Sequence, residues 1–155
     1  TVEEDCAADQ ICENNRCTAK PECLSDADCP SGKICRNKKC VDAPVCQPSL
    51  AYFDFDEATI RSDAKSTIEE NAQCLNSRSD VSSVQVVGHC DERGSTEYNL
   101  ALGQKRAEAV RRSLGLLGVN DSQVEAVSFG EEKPAAAGSS ENAYSQNRRA
   151  EISYR

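Results

Sequence analysis

The sequence predicts an α+β chain: a two-layer α/β sandwich over residues 47–155, with helices on one face of a four-stranded mixed sheet, behind a small disulfide-rich segment over residues 1–46. Two observations predict this. Residues 51–155 alternate short segments of two-residue apolar period with longer ones of three- and four-residue period, the pattern of strands and helices taking turns. Residues 1–46 instead hold eight of the chain's ten cysteines and almost no large aliphatic side chains beyond Ile11, Leu24, Ile34, Val41 and Val45.

In the first segment the cysteines stand at 6, 12, 17, 23, 29, 35, 40 and 46. Shifting the chain by one repeat superposes Cys6 on Cys29, Cys12 on Cys35, Cys17 on Cys40 and Cys23 on Cys46, and also Ile11 on Ile34, Asn14 on Asn37 and Pro21 on Pro44. This is a tandem repeat of two small knots. So few aliphatics cannot build a core, so disulfides among Cys6, Cys12, Cys17, Cys23, Cys29, Cys35, Cys40 and Cys46 are expected to hold it, in an oxidising compartment. Spacing alone does not choose the pairing. Zinc is the rival reading, but its ligand pairs usually lie two to four residues apart, whereas the gaps here are four and five throughout and the only histidine lies elsewhere; no metal site is expected. Asp26 and Asp28 lack the glycine and distal glutamate of a calcium loop and are read as solvated turn residues. The knot's expected role is a rigid spacer or a second interaction module.

Further on, Tyr52-Phe53-Asp54-Phe55-Asp56 alternates large and acidic residues, as a strand with one solvated face would. Ser62 and Asp63 can cap a helix whose stripe is Ile60, Ala64, Ile68, Ala72 and Leu75. Val84–Gly88 is the next strand. A helix from about Thr96 is expected to bury Tyr98, Leu102, Ala107, Val110, Leu114 and Leu117, with Gly115 and Gly118 blurring its end. Val124–Phe129 reads as a strand, 130–140 as a loop, Ala143–Gln146 as a helical turn and Glu151–Tyr154 as the last strand. Cys74 and Cys90 are expected to be unpaired and mostly buried: one strand length, roughly 20 Å, would separate them, against about 4.4–6.8 Å between bridged Cα atoms.

Charge excludes some functions. Residues 1–50 carry nine acidic and six basic side chains and residues 51–155 seventeen and twelve, so both parts are acidic and the total is −8. Nucleic acid, which requires a basic face, is not an expected partner. No apolar run approaches the roughly 20 residues of a membrane-spanning helix. Thr1 is not a translation start, so a targeting segment is expected to have been removed.

The chemistry concentrates at His89-Cys90-Asp91-Glu92-Arg93-Gly94. Asp91 ends a strand, Gly94 permits a sharp turn, and Ser95 or Thr96 caps the incoming helix, on which Arg106 follows. Crevices where strands end and helices begin favour ligands. Asp91 can receive an ammonium while the planar fork of Arg106 holds a carboxylate, which together grip one amino-acid headgroup; a structural Asp–Arg ion pair is the plain alternative. Such an exposed clamp would contribute little to the core. Asp54, Asp56, Glu92 and Arg93 either shape the rim or are simply solvated. No serine elbow, phosphate loop or metal cluster appears, and the lone histidine, His89, is read as orienting the turn. No enzyme and no cofactor are expected.

These motifs resemble the outer-membrane-protein-A-like (OmpA-like) peptidoglycan-binding domains. The resemblance rests on Tyr52-Phe53-Asp54-Phe55-Asp56, Gly88 to Asn99, Leu102-Gly103, Arg106-Ala107, Ser128 to Pro134 and Asn147-Arg148-Arg149-Ala150. It implies non-catalytic binding of the peptidoglycan peptide stem through meso-diaminopimelate, by Asp91 and Arg106. Phe53, Asp54, His89 and Leu102 would line the pocket or present backbone to it, while Gly94, Tyr98, Asn99 and Arg149 would keep its shape. It also implies a periplasmic protein of a Gram-negative bacterium, held to the outer membrane by a lipid anchor and tethering that membrane to the wall, with the Tol system, TolB in particular, as partner. The cysteine-rich segment departs from the short linker usual in the family. A competing reading makes the knot a protein-binding module with the sandwich as its scaffold.

Overall fold

The computed structural model describes residues 6–43, 46–78, 81 and 83–155. Pro44 and Val45, which the repeat and the aliphatic count invoke, lie outside these. The chain separates into two compact units between residues 43 and 44.

The first unit is two copies of one hairpin. Strands β1 (Gln10–Glu13) and β2 (Arg16–Ala19) pair antiparallel, as do β3 (Lys33–Arg36) and β4 (Lys39–Asp42), in the same register one repeat later. Each turn has two left-handed residues, Asn14 and Asn15 (φ 51° and 61°) or Asn37 and Lys38 (φ 51° and 63°), the two-residue geometry that suits strand twist and that asparagine tolerates. Bridges join Cys6 to Cys17, Cys23 to Cys35 and Cys29 to Cys40. Only Cys23 and Ile34 are buried among the unit's described hydrophobic residues, so crosslinks stand in for a core.

Two of the expected bridging cysteines behave otherwise. Cys12 is in none of these three bridges, although its counterpart Cys35 joins Cys23. Cys46 matches Cys23, but Ala58 stands where its repeat partner would be, and it bonds Cys74 instead. Cys74 is therefore bridged, contrary to expectation, while Cys90 is a buried free thiol. Asp26 and Asp28 are fasteners and not merely solvated. Asp28 accepts the Leu24 and Ser25 amides at 2.8 and 3.0 Å, which lowers its pKa, and Asp26 accepts the Cys35 amide at 2.8 Å.

The second unit runs β5 (Ser49–Tyr52), α1 (Ser62–Ser77), β6 (Val84–His89), α2 (Thr96–Leu116), β7 (Val124–Gly130), α3 (Glu141–Asn147) and β8 (Arg149–Tyr154). The sheet order is β5-β8-β6-β7, with β6 and β7 parallel and β8 antiparallel to both neighbours. Ala51, Val84, Val86, Val124 and Ile152 of the sheet meet Ala64, Ile68, Ala72, Leu75, Ala107, Val110 and Leu114 of α1 and α2 in one core. This is the mixed α+β sandwich the patterning implies.

Local differences have simple causes. β5 stops at Tyr52, and Phe53–Asp56 turns away, with Asp56 left-handed at φ 55°. The cap of α1 is Arg61, one residue ahead of Ser62. In α2 the buried face is Asn99, Leu102, Gly103, Arg106, Ala107, Val110 and Leu114. Tyr98, one residue off that three-and-four spacing, is half exposed, and Leu117 lies beyond the helix end and is exposed. A Cβ on Gly88 would run into the backbone carbonyl of Gly103. The two glycines thus let α2 settle directly on β6, which sets the depth of the cleft above the strand's end.

Candidate functional site

Beyond the end of β6 the chain turns at Gly94, whose φ of 102° suits glycine, and re-enters helix at Ser95, whose hydroxyl accepts the Tyr98 amide at 3.1 Å. Asn99, buried one turn into α2, donates to the carbonyls of Asp91 at 3.3 Å and Arg93 at 3.0 Å. It ties the loop to the helix that follows. The cleft so formed has a volume of about 250 Å³ and is lined by Asp91, Arg93, Gly94, Tyr98, Leu102 and Arg106, among others.

Arg106 enters from α2 and is only 1% exposed. Its Nε donates to the carbonyl of Glu57 at 2.8 Å, Nη1 to that of His89 at 2.9 Å and Nη2 to that of Asp54 at 3.1 Å, with the Phe53 ring centroid 5.3 Å away. One side chain therefore fixes both the 54–57 turn and the end of β6. A guanidinium has five N–H donors, so two are not taken by these carbonyls. The clamp is not the exposed one expected: Asp91 too is buried, at 4%. Burial alone would raise the Asp91 pKa, but hydrogen bonds from the Arg93 side chain and backbone outweigh it and hold the carboxyl below its usual value. Arg93 approaches through Nε at 3.1 Å and Nη2 at 2.9 Å, and Arg148 Nη1 lies 3.6 Å from the second oxygen. The alternative of a direct Asp91–Arg106 ion pair is not what forms; Asp91 pairs with Arg93 and Arg148.

The remaining expected residues fall into distinct places. Leu102, Gly94, Tyr98 and Asn99 line the cleft. Asp54 and His89 contribute carbonyls to Arg106, while the Asp54 carboxylate turns to Arg61 at 3.6 Å. The His89 ring faces the other side of the sheet, with Glu151 Oε2 3.5 Å from Nε2 and the Phe129 ring beside it. It does not orient the turn by its imidazole, whose nitrogens find no hydrogen bond among the described residues. Burial, and then Arg149, lower its pKa, against the opposing pull of Glu151. Arg149 grips the carbonyls of Asn147 at 3.3 Å and Lys133 at 3.1 Å, bracing the 130–140 loop.

Three participants escape the sequence reading, and a fourth, Glu92, is read there only as a rim or solvated residue. Phe55 and Tyr144 flank the Arg93 guanidinium at 4.0 and 4.3 Å. Arg148 joins Phe53 by Nε to its carbonyl at 3.0 Å and faces Asp91. Glu92 accepts from Ser139 and Tyr144, pinning the same corner. Burial of Arg106 and Asn99 did have a signal: both fall on the spacing of the apolar stripe through Leu102 and Val110.

The sequence of the sandwich has close relatives. It is 48% identical over 103 residues to the peptidoglycan-associated lipoprotein of Pasteurella multocida, covering 66% of this chain and 68% of that protein. It is 43% identical over 101 residues to that of Pseudomonas putida, covering 65% of this chain and 60% of the relative; the chain thus spans about three fifths of the length of such a relative. The crystal structure of the peptidoglycan-associated lipoprotein from Burkholderia pseudomallei superposes with a TM-score of 0.66 at 51% identity, over 68% of this chain and 89% of that one. In the cysteine-rich unit, residues 20–43 match the Dumpy, DPY module. The match to the OmpA family runs over residues 52–148, more than half of the sequence and all of the cleft, and on that ground the chain belongs to the OmpA family.

Proposed function

We propose that this chain binds peptidoglycan without cleaving it and so anchors a Gram-negative outer membrane to the wall from the periplasmic side. The observation that carries the reading is the meeting of Asp91 and Arg106 in one cleft, within a domain whose relatives are named peptidoglycan-associated lipoproteins. The ligand part is the meso-diaminopimelate end of a peptide stem. Its ammonium goes to Asp91, and its carboxylate to the two Arg106 N–H groups not taken by backbone carbonyls. A lysine in that position of the stem offers the ammonium alone and leaves the guanidinium edge unanswered, so diaminopimelate stems are preferred. Leu102 contacts the aliphatic stem. A lipid anchor ahead of the cysteine-rich unit and a Tol-system partner, TolB in particular, complete the proposal; residues 1–46 act as spacer and residues 47–155 as binding domain.

Titration calorimetry of the full chain with a stem peptide ending in meso-diaminopimelate tests it. Saturable heat is expected, much reduced with the lysine-containing peptide and in Arg106→Lys, which keeps the charge but loses the planar fork. No heat from a folded wild-type chain would refute the reading.

A further inference from the structure

As folded, the cleft leaves little room at Asp91 for an added cation. Its Oδ1 accepts from both the backbone N and Nε of Arg93, at 3.0 and 3.1 Å, and Oδ2 accepts from Nη2 at 2.9 Å. A carboxylate offers about four lone-pair positions, so three are taken. The fourth faces Arg148 Nη1 at 3.6 Å, and the Asp91 side chain is only 5% exposed. Two guanidinium groups, those of Arg93 and Arg148, already face this one buried carboxylate, and Arg106 lines the same cleft. An arriving ammonium would add a further positive charge without removing any, which a partly dry site resists.

Arg93 has a way out. It is the partly exposed member of the pair, with 35% of its side chain in solvent. Its guanidinium lies in a slot between the Phe55 and Tyr144 rings, and Glu141 Oε2 waits 3.8 Å from Nη2. Sliding along that slot would break the two side-chain bonds to Asp91, keep the aromatic faces and shorten the ion pair that Arg93 already makes with Glu141. Arg106 has no such freedom, because three carbonyls hold it.

We infer that Arg93 is a displaceable self-ligand: it occupies the Asp91 position while the cleft is empty, and the ammonium of an incoming amino-acid headgroup takes its place. The inference rests on the binding reading above and adds to it a residue that sets affinity by competing with the ligand. Arg93 is a gatekeeper of the carboxylate, and the Phe55–Tyr144 slot is its parking place.

The test is calorimetry and stopped-flow association of the full chain with the same diaminopimelate peptide, comparing wild type with Arg93→Met. Methionine keeps the unbranched stem against the two rings and lacks the charge; Arg148 still neutralises Asp91. The expected result is a Kd lowered about three- to tenfold, the scale of a partly exposed ion pair, with faster association. Unchanged or weaker binding by the variant would overturn the inference. Should Arg93→Met fail to fold, the wild-type Arg93 Nε–H resonance serves instead. It is expected to shift on saturation with peptide, and a resonance that stays in place overturns displacement. Wild-type chain that binds no peptide overturns the headgroup reading itself, a result distinct from normal binding with an indifferent Arg93.

Discussion

Arg106 does two jobs with one group, and the two can be separated by substitution. Its three donors to the carbonyls of Asp54, Glu57 and His89 hold segments far apart in sequence, and burying such carbonyls without donors costs about 1–3 kcal/mol each at most. Arg106→Ala is therefore expected to lower the unfolding free energy by about 3 kcal/mol, read by urea denaturation, as well as abolish binding. The conservative lysine variant should lose binding with a smaller stability change. At His89 the sign of the pH effect follows from burial. A lowered folded-state pKa means that the unfolded chain takes up the proton first. The histidine's contribution is thus complete above its ordinary value near 6.5 and is lost as pH falls from there toward the folded value. As the chain has one histidine, its imidazole NMR signal should titrate below 6.5, and a midpoint above that value would contradict the burial argument. Asp91 behaves alike at lower pH, its stabilisation disappearing as pH drops through a carboxyl pKa already below the usual range.

At the scale of elements, the contact of α2 with β6 decides where the cleft lies. Gly88→Ala would press a methyl group onto the Gly103 carbonyl, and a loss of about 1–3 kcal/mol is expected. Because the backbone must shift where β6 ends, weaker peptide binding should accompany the lower denaturation midpoint. α1 is fastened differently, through Cys74 to Cys46. Closing a chain separation of 28 residues restricts the unfolded state by about 3–4 kcal/mol in the loop-entropy description, so Cys46→Ser with Cys74→Ser should melt earlier in thermal denaturation. The elements themselves were largely legible: strand and helix periods, the Ser95 cap and the Gly94 turn are local properties that short stretches of sequence encode. What was not legible comes from distant segments meeting. The Phe55–Arg93–Tyr144 stack draws on three separate loops and helices, and no local pattern announces it. The Cys46–Cys74 bridge was hidden for the same reason, since the repeat assigned Cys46 to its own kind. Arg106 was recognisable as functional from its motif, but an arginine on an apolar stripe reads as an exception until its carbonyl partners are seen.

For the whole molecule, the two units differ in what holds them: crosslinks and carboxylate–amide fasteners in one, a packed apolar core in the other. The residues proposed to hold the stem peptide all lie in the second. Deleting residues 1–43, which keeps Cys46 with its partner, is expected to leave the Kd for the diaminopimelate peptide within about twofold of the full chain, whereas a large loss would bring the cysteine-rich unit into the binding site. The Cys46–Cys74 bond also bears on the proposed tethering of two envelope layers. Tension applied through the N-terminal segment reaches Cys46 and crosses at once to the C-terminal end of α1, so residues 47–73 are bypassed by the load. The edge strand β5, held to the sheet by one neighbour only, cannot be peeled from its free end while the bond stands. The domain is gripped at a helix packed into its interior, as a rope is made fast to a post inside the wall and not to the outermost plank.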